Sequence, residues 1–546
     1  MKKLFLASVS AAALFASPAL AQNNNSNVQQ NGDSLTATVD QTGSANDADI
    51  LQSGALNTGT IDQNGTNGKA TITQSGTGST PNPNNGSLRT NQAKITQNGD
   101  SAEAEIVQSG ADRNEAETVQ DGDSYSSIIQ DGTSQEAEAN QTGDGNQSFI
   151  RQSSNSNTVG NALNTSASGV IQIGDDNFSN IDQDPSTYSS ARATQLGDGN
   201  TSDIQQELRG GAGANRSSAV VFQTGTGNQS DLNQLSDTNP ARLEATVSQY
   251  GSTNVSTLNQ SGQDNDATVI QDGTSNSSTL TQQGNLATAT IDQEGTSNRS
   301  FATQGAPNRL TGSQTLDVSQ NGVENQSVVT QFGSLGDAVV NQDGEDNFST
   351  VSQGGLDNDV ASIDQIGNNN ASSVSQSANF GFADVDQNGD ELDSTVVQQG
   401  RANFASATID QVGERNTSFV TQDAPPPPAG PAFNLVALVQ QSGSDNESVV
   451  SQTNTQGEPQ SSANNAFVDQ SGTGNFSDLF QDGHGNDADV MQSGEGNESL
   501  VEQFGTGNSA TVNQMGFGDQ STVFQSGTGN SASVTQSGSA PASGPL

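Results

Sequence analysis

Few groups in this chain are suited to covalent chemistry. There is one histidine, His484, and no cysteine. His484 sits in Asp482-Gly-His-Gly485, where the glycines mark a turn, and an exposed turn residue is expected. Carboxylates abound, yet pairs such as Asp47 and Asp49 lie two residues apart, which on an extended segment points both outward. General acid–base work needs a pocket that shifts one pKa, and a flat solvated face offers none. Turns such as Asp121-Gly-Asp123 carry oxygen ligands suited to Ca²⁺, but they lack the nine-residue G-G-x-G-x-D register of calcium-binding β-rolls. Loose counterion condensation is the expectation, with no resident metal and no cofactor. Outward Thr residues form no regular Thr-x-Thr rank of the kind an ice-binding face presents. The chain is read as not an enzyme, with no catalytic residue.

The informative side chains are amides. A Gln returns every eleven residues, at Gln41, Gln52, Gln63 and Gln74, and again at Gln470, Gln481, Gln492, Gln503, Gln514, Gln525 and Gln536. Between them runs Q-x-G-x-x-N-x-A-x-V-x-Q, which brings Asn46, Asn475, Asn486, Asn497, Asn508 and Asn530 into phase. Burying an amide without partners costs on the order of 1–3 kcal/mol. Stacked directly above its copy in the next layer, an amide NH₂ can donate to the next carbonyl oxygen and form a ladder. Such a ladder also fixes register, because a slipped strand would set amides against Val. These Gln and Asn residues are therefore the expected structural ladder.

The elements that hold them follow from the spacing. Asn, Ala, Val and Gln recur two residues apart and share one face of an extended strand. The four residues Ser526 to Gly529 form a Gly-containing turn to the next strand. Two-residue alternation and glycine density exclude a run of helices. About 42 strands are expected, starting with Asn24, Ser26, Val28 and Gln30.

Extra residues lengthen the links before the strands that end at Gln97, Gln172, Gln223, Gln249, Gln320, Gln411, Gln441 and Gln470. Counting from the strand that ends at Gln41, all of these are odd. Links into even strands keep eleven residues, with one shorter link before Gln130. A coil of two strands and about 22 residues explains this, with one edge tolerant of insertions, Pro425 to Pro428 among them. The predicted fold is all-β: a two-sheet, cross-β solenoid of about 21 coils, roughly 100 Å long at about 4.8 Å per coil. Every Phe beyond the first segment falls at an outward or turn position, including Phe149, Phe178, Phe348, Phe476 and Phe524, so a thin core is expected.

Residues 1–21 read as a secretory signal: Lys2 and Lys3, an apolar stretch from Leu4 to Phe15, then Ala19-Leu20-Ala21 before Gln22. The apolar part is too short to span a bilayer, and no later stretch approaches that length. The expected organisation is signal 1–21, repeat solenoid 22–536 and tail 537–546. A formal charge of −46 excludes ordinary nucleic-acid binding, which needs cations to displace phosphate counterions. With 29% hydrophobic residues and no Trp, composition alone suggests disorder, and periodicity overturns that expectation.

The segments Gln41-Thr-Gly-Ser-Ala-Asn46-Asp-Ala48 and Gln503-Phe-Gly-Thr-Gly-Asn508-Ser-Ala510 resemble the curlin repeat of curli fibres, and the likeness runs through nearly the whole chain after the signal. That resemblance implies secretion across an outer membrane by dedicated machinery, an extracellular or cell-surface location, and self-association or association with other curlin-type subunits. It also implies a functional amyloid fibre that serves biofilm matrix and adhesion. A monomeric rod-like adhesin or spacer that does not self-assemble is the alternative.

Overall fold

The computed structural model describes residues 23–76, 90–110, 113–153, 166–184, 189–208, 216–236, 242–305, 313–355, 358–377, 379–400, 404–424, 434–454 and 463–539. The expected signal, the Pro425–Pro428 stretch and residues 540–546 of the tail lie outside them. The chain divides into two units, Met1–Thr253 and Asn254–Leu546. Each is all-β, and the described residues contain no helix.

Within each unit a strand pairs in parallel with the strand two places further along, never with its immediate successor. In the first unit Asn25–Asp33 pairs with Asp47–Ala55, and Thr36–Ser44 with Asn57–Thr66. In the second, Glu498–Thr506 pairs with Gln520–Thr528, and Ser509–Phe517 with Ser531–Gln536. Alternate strands thus belong to two facing sheets, and a coil is one strand from each. Register is kept residue for residue, so Gln52 lies on Gln74 and Ile50 on Ile72.

The two sheets differ in their interior. The inward slot after the Asn holds Ser in one from Ser126 onward, as at Ser256, Ser349 and Ser521, and mostly Ala in the other, as at Ala267, Ala361 and Ala510. They are called here the serine sheet and the alanine sheet. Both residues are small enough for close approach of the sheets. The next inward slot holds Ile, Val or Leu at most levels; Ile50, Ile61, Ile72, Val490 and Val501 are essentially inaccessible to solvent. Among the described residues no Phe or Tyr is buried. A ring would hold the sheets apart and strip neighbouring coils of contacts.

The eight lengthened links all lead from the serine sheet into the alanine sheet, entering for example Asn91–Gln97, Thr315–Val323 and Asn464–Thr473. The return link is short and built around glycine. Gly43 has φ +95°, and a Cβ there would lie 1.9 Å from the carbonyl oxygen of Gly65 in the next coil. Only glycine admits both that backbone and that approach.

Candidate functional site

The inward amides form two kinds of structure. The Gln side chains make a ladder in each sheet. Gln30 Nε2 donates to Gln52 Oε1 at 2.8 Å, Gln52 to Gln74 at 2.8 Å and Gln74 to Gln108 at 2.7 Å. In the facing sheet Gln41 donates to Gln63 and Gln63 to Gln97, both at 2.8 Å. The second unit repeats this: Gln481 to Gln503, Gln503 to Gln525, Gln492 to Gln514 and Gln514 to Gln536, each at 2.9 Å. Gln470 donates to Gln492 at 2.8 Å.

A second N–H of each Gln crosses the core. Gln52 Nε2 also donates to the Thr36 carbonyl at 2.9 Å, and Gln481 Nε2 to the Asn465 carbonyl at 2.8 Å. In both cases the acceptor is in the opposite sheet. One side chain therefore ties coil to coil and sheet to sheet.

The Asn residues act mainly on the turn. Asn46 Nδ2 donates to the Thr42 carbonyl at 2.9 Å, closing its own turn, and to the Gly65 carbonyl of the next coil at 3.0 Å. Its Oδ1 accepts the Gly68 N–H at 2.9 Å. Asn497 and Asn508 close their turns in the same way, on Ser493 and Phe504. Side-chain contacts between Asn residues are added at some levels, with Asn497 Nδ2 donating to Asn475 Oδ1 at 2.9 Å and Asn508 to Asn486 at 3.1 Å. Asn530 closes on Ser526 and donates to Asn508. These donations run against the direction of the Gln ladder.

This division of labour explains where Asn persists. Serine-sheet strands follow the short turn, and from Asn254 through Asn370 each begins with Asn. Alanine-sheet strands follow the variable link, and there the same slot keeps Asn at Asn91, Asn464 and Asn508 but holds Leu243, Gln314, Ala405 or Leu435 at other levels.

The family model of the curlin associated repeat matches the chain five times, at residues 43–76, 241–273, 315–344, 483–516 and 505–538. The protein carries curlin repeats. Each matched span takes in at least one short glycine turn together with its flanking Gln. No curated protein matches the chain.

Groups outside the curlin ladder are arranged differently from the sequence-based expectation in one respect. His484 lies in its turn but is buried, at 6% exposure, with Nε2 3.2 Å from Thr506 Oγ1 of the next coil. Exposure fails as an expectation there because the turns stack: a turn residue away from the chain ends has a neighbour above it. Asp123 also belongs to a stack. Its N–H donates to Asp144 Oδ1 at 3.0 Å, and Asp144 N–H to Asp175 Oδ1 at 2.9 Å. One oxygen of these carboxylates is thus held by backbone. Among the described residues no group of three or more His, Cys, Asp or Glu side chains converges as metal ligands would. No helix there is long and apolar enough to cross a membrane.

The outermost coils are open. The first described strands are exposed, and the ladder leaves acceptors there: Gln30 and Gln41 donate onward, while among the described residues no side-chain amide reaches their Oε1. In the last coil of the second unit Gln525 and Gln536 each donate one N–H across the core, to Ser509 and Gln520, and among the described residues the second has no acceptor.

Proposed function

We propose that this protein is a structural component of an extracellular, curli-like amyloid fibre that contributes to biofilm matrix and adhesion and performs no catalysis. In this reading residues 1–21 direct export, residues 22–536 supply the solenoid, and 537–546 are a tail. Partners are further copies of the chain or other curlin-type subunits, reached after passage through outer-membrane secretion machinery.

The observation that carries the reading is the polarity of the two ends. One end presents amide N–H groups, at Gln525 and Gln536, and the other presents amide oxygens, at Gln30 and Gln41. Both ends also bear unpaired strand edges, a template for parallel pairing. Head-to-tail addition would continue both ladders without a break, and a heterologous contact of that kind propagates as a filament.

The test is a time course of dye binding, with electron microscopy, on the purified chain. Filaments are expected, forming faster with added salt because the acid excess is screened over about 10 Å at 0.1 M. Val534→Pro combined with Ala532→Lys removes a ladder donor and adds charge at one end, and should block growth there. Persistent monomers under all conditions, with strand content intact by circular dichroism, would overturn the fibre reading in favour of a monomeric adhesin.

A further inference from the structure

Over the serine-sheet strands from Val255–Gln263 to Glu447–Thr453 and the alanine-sheet strands between them, the two outer faces differ chemically. On the alanine sheet the outward side chains form acidic columns; Asp364, Asp386 and Asp410 stack in register, with Asp384, Asp292 and Asp317 on the same face. On the serine sheet two outward columns, one from Thr257 to Val449 and one from Asn259 to Ser451, contain no charged residue. They consist of Thr, Ser, Val and Phe with one Asn. In a chain of formal charge −46 such an expanse is unusual. Phe348 and Phe419 stand on this face 41% and 40% exposed.

The face is also complementary to itself. Consider a two-fold axis lying in the interface along the strand Phe348–Gln353. That operation keeps strand direction, reverses the direction of stacking, and sets each strand against the one equally far on the other side of the axis. Within the two uncharged columns bulky residues then meet small ones: Phe301 faces Thr395, Val328 faces Ser373, and Phe419 faces Thr279, while in the third column Phe348 meets its own copy on the axis. In the third outward column Arg299 meets Asp393, twice by symmetry. Among the described residues neither group forms an ion pair within its own chain; Arg299 instead lies over the Phe301 ring at 5.4 Å.

We infer that this face of the serine sheet docks the same face of a second copy, antiparallel, with the Asp-bearing alanine sheets turned outward to solvent. Nine strands at about 4.8 Å and three outward columns give about 650 Å² per copy. The total of about 1,300 Å² falls within the range of specific interfaces. Repulsion closes the alternatives to a like-charged partner, because the opposite face would bring Asp columns together. This contact is lateral and does not depend on head-to-tail growth.

The absence of native cysteine makes the test direct. Thr350 lies on the proposed axis, so Thr350→Cys in the full chain should form a self-disulfide dimer under mild oxidation. Ser362→Cys, on the acidic face, should not. Arg299→Asp and Asp393→Arg should each weaken association at least about tenfold by sedimentation, and the charge-swapped double variant should restore it. Absence of the Thr350→Cys dimer, or a double variant no better than the singles, would overturn the inference. Circular dichroism of each variant separates loss of docking from loss of fold. Filaments without the Thr350→Cys crosslink would sink lateral docking and leave the fibre reading standing; crosslinked pairs without filaments would do the reverse.

Discussion

Replacing Gln481 tests the ladder at a site with three hydrogen bonds. Its Nε2 donates to Gln503 Oε1 at 2.9 Å and to the Asn465 carbonyl at 2.8 Å, and its Oε1 accepts from Gln452 at 2.9 Å. The side chain is fully buried. Gln481→Leu keeps the approximate volume but leaves three polar groups without their partner, at about 1–3 kcal/mol each. Extra apolar burial returns about 1–2 kcal/mol, so a net loss of about 1–8 kcal/mol is expected. In a solenoid that loss falls on one coil and its neighbours, and it should show as faster hydrogen exchange near residues 470–510, with distant coils unchanged. Gln481→Glu adds a pH signature. A carboxylate there loses both donors and is desolvated, which raises its folded pKa above the unfolded value near 4.3. The penalty is then fully present above the folded pKa and fades as pH falls, because the protonated acid regains one donor. Unchanged exchange in Gln481→Leu, or a Gln481→Glu penalty that does not shrink on acidification, would refute the ladder argument.

Three further outcomes follow from the geometry. Gly494→Ala places a Cβ 2.0 Å from the Gly516 carbonyl oxygen at φ +110°, so protease resistance of that coil should drop sharply, whereas Gly474→Asn, with nothing within 4 Å and φ +65°, should be tolerated. Burial first, and then the carboxylates of Asp384, Asp364 and Asp410, push the Asp386 carboxyl up to about 6. The unfavourable charge there is present above that pH and relieved below the unfolded value near 3.8, so Asp386→Asn should raise the melting temperature modestly at pH 8 and leave it unchanged at pH 4. Four residues inserted between Gln74 and Asn91 should leave protease resistance intact, while the same insertion between Gln514 and Asp519 should expose a coil.

Much of this molecule was legible because its sequence repeats. A Gln at every eleventh residue, with alternation of period two, implies strands, and lengthened links confined to alternate strands imply a two-strand coil. Those signals are local or additive along the chain, so no long-range information is needed to read them. The Asn residues were harder. They recur in phase with Gln, and phase alone does not separate a ladder from a turn clamp such as Asn46, which spends its amide on the carbonyls of Thr42 and Gly65. The sequence carries only a tendency: the slot is more often Asn after the short turn than after the variable link, where Leu243 and Ala405 replace it but Asn91 and Asn464 keep it.

What the sequence determined by itself is the coil: strand, turn, inward amide and the edge that accepts insertions. Periodicity fixes these because each coil repeats the same local problem of burying one thin face. Tertiary structure decided what depends on which residues become neighbours about 22 positions apart. It buried His484 beneath a stacked turn, gave the amide ladders a direction, and in the second unit set Asp-bearing columns on one sheet against two uncharged columns, Thr257 to Val449 and Asn259 to Ser451, on the other. Taken along the chain, those outward positions are a mixture of Ser, Thr, Asp and Phe. Parallel pairing of alternate strands sorts them, because it places every second strand on the same side of a core too thin for a ring.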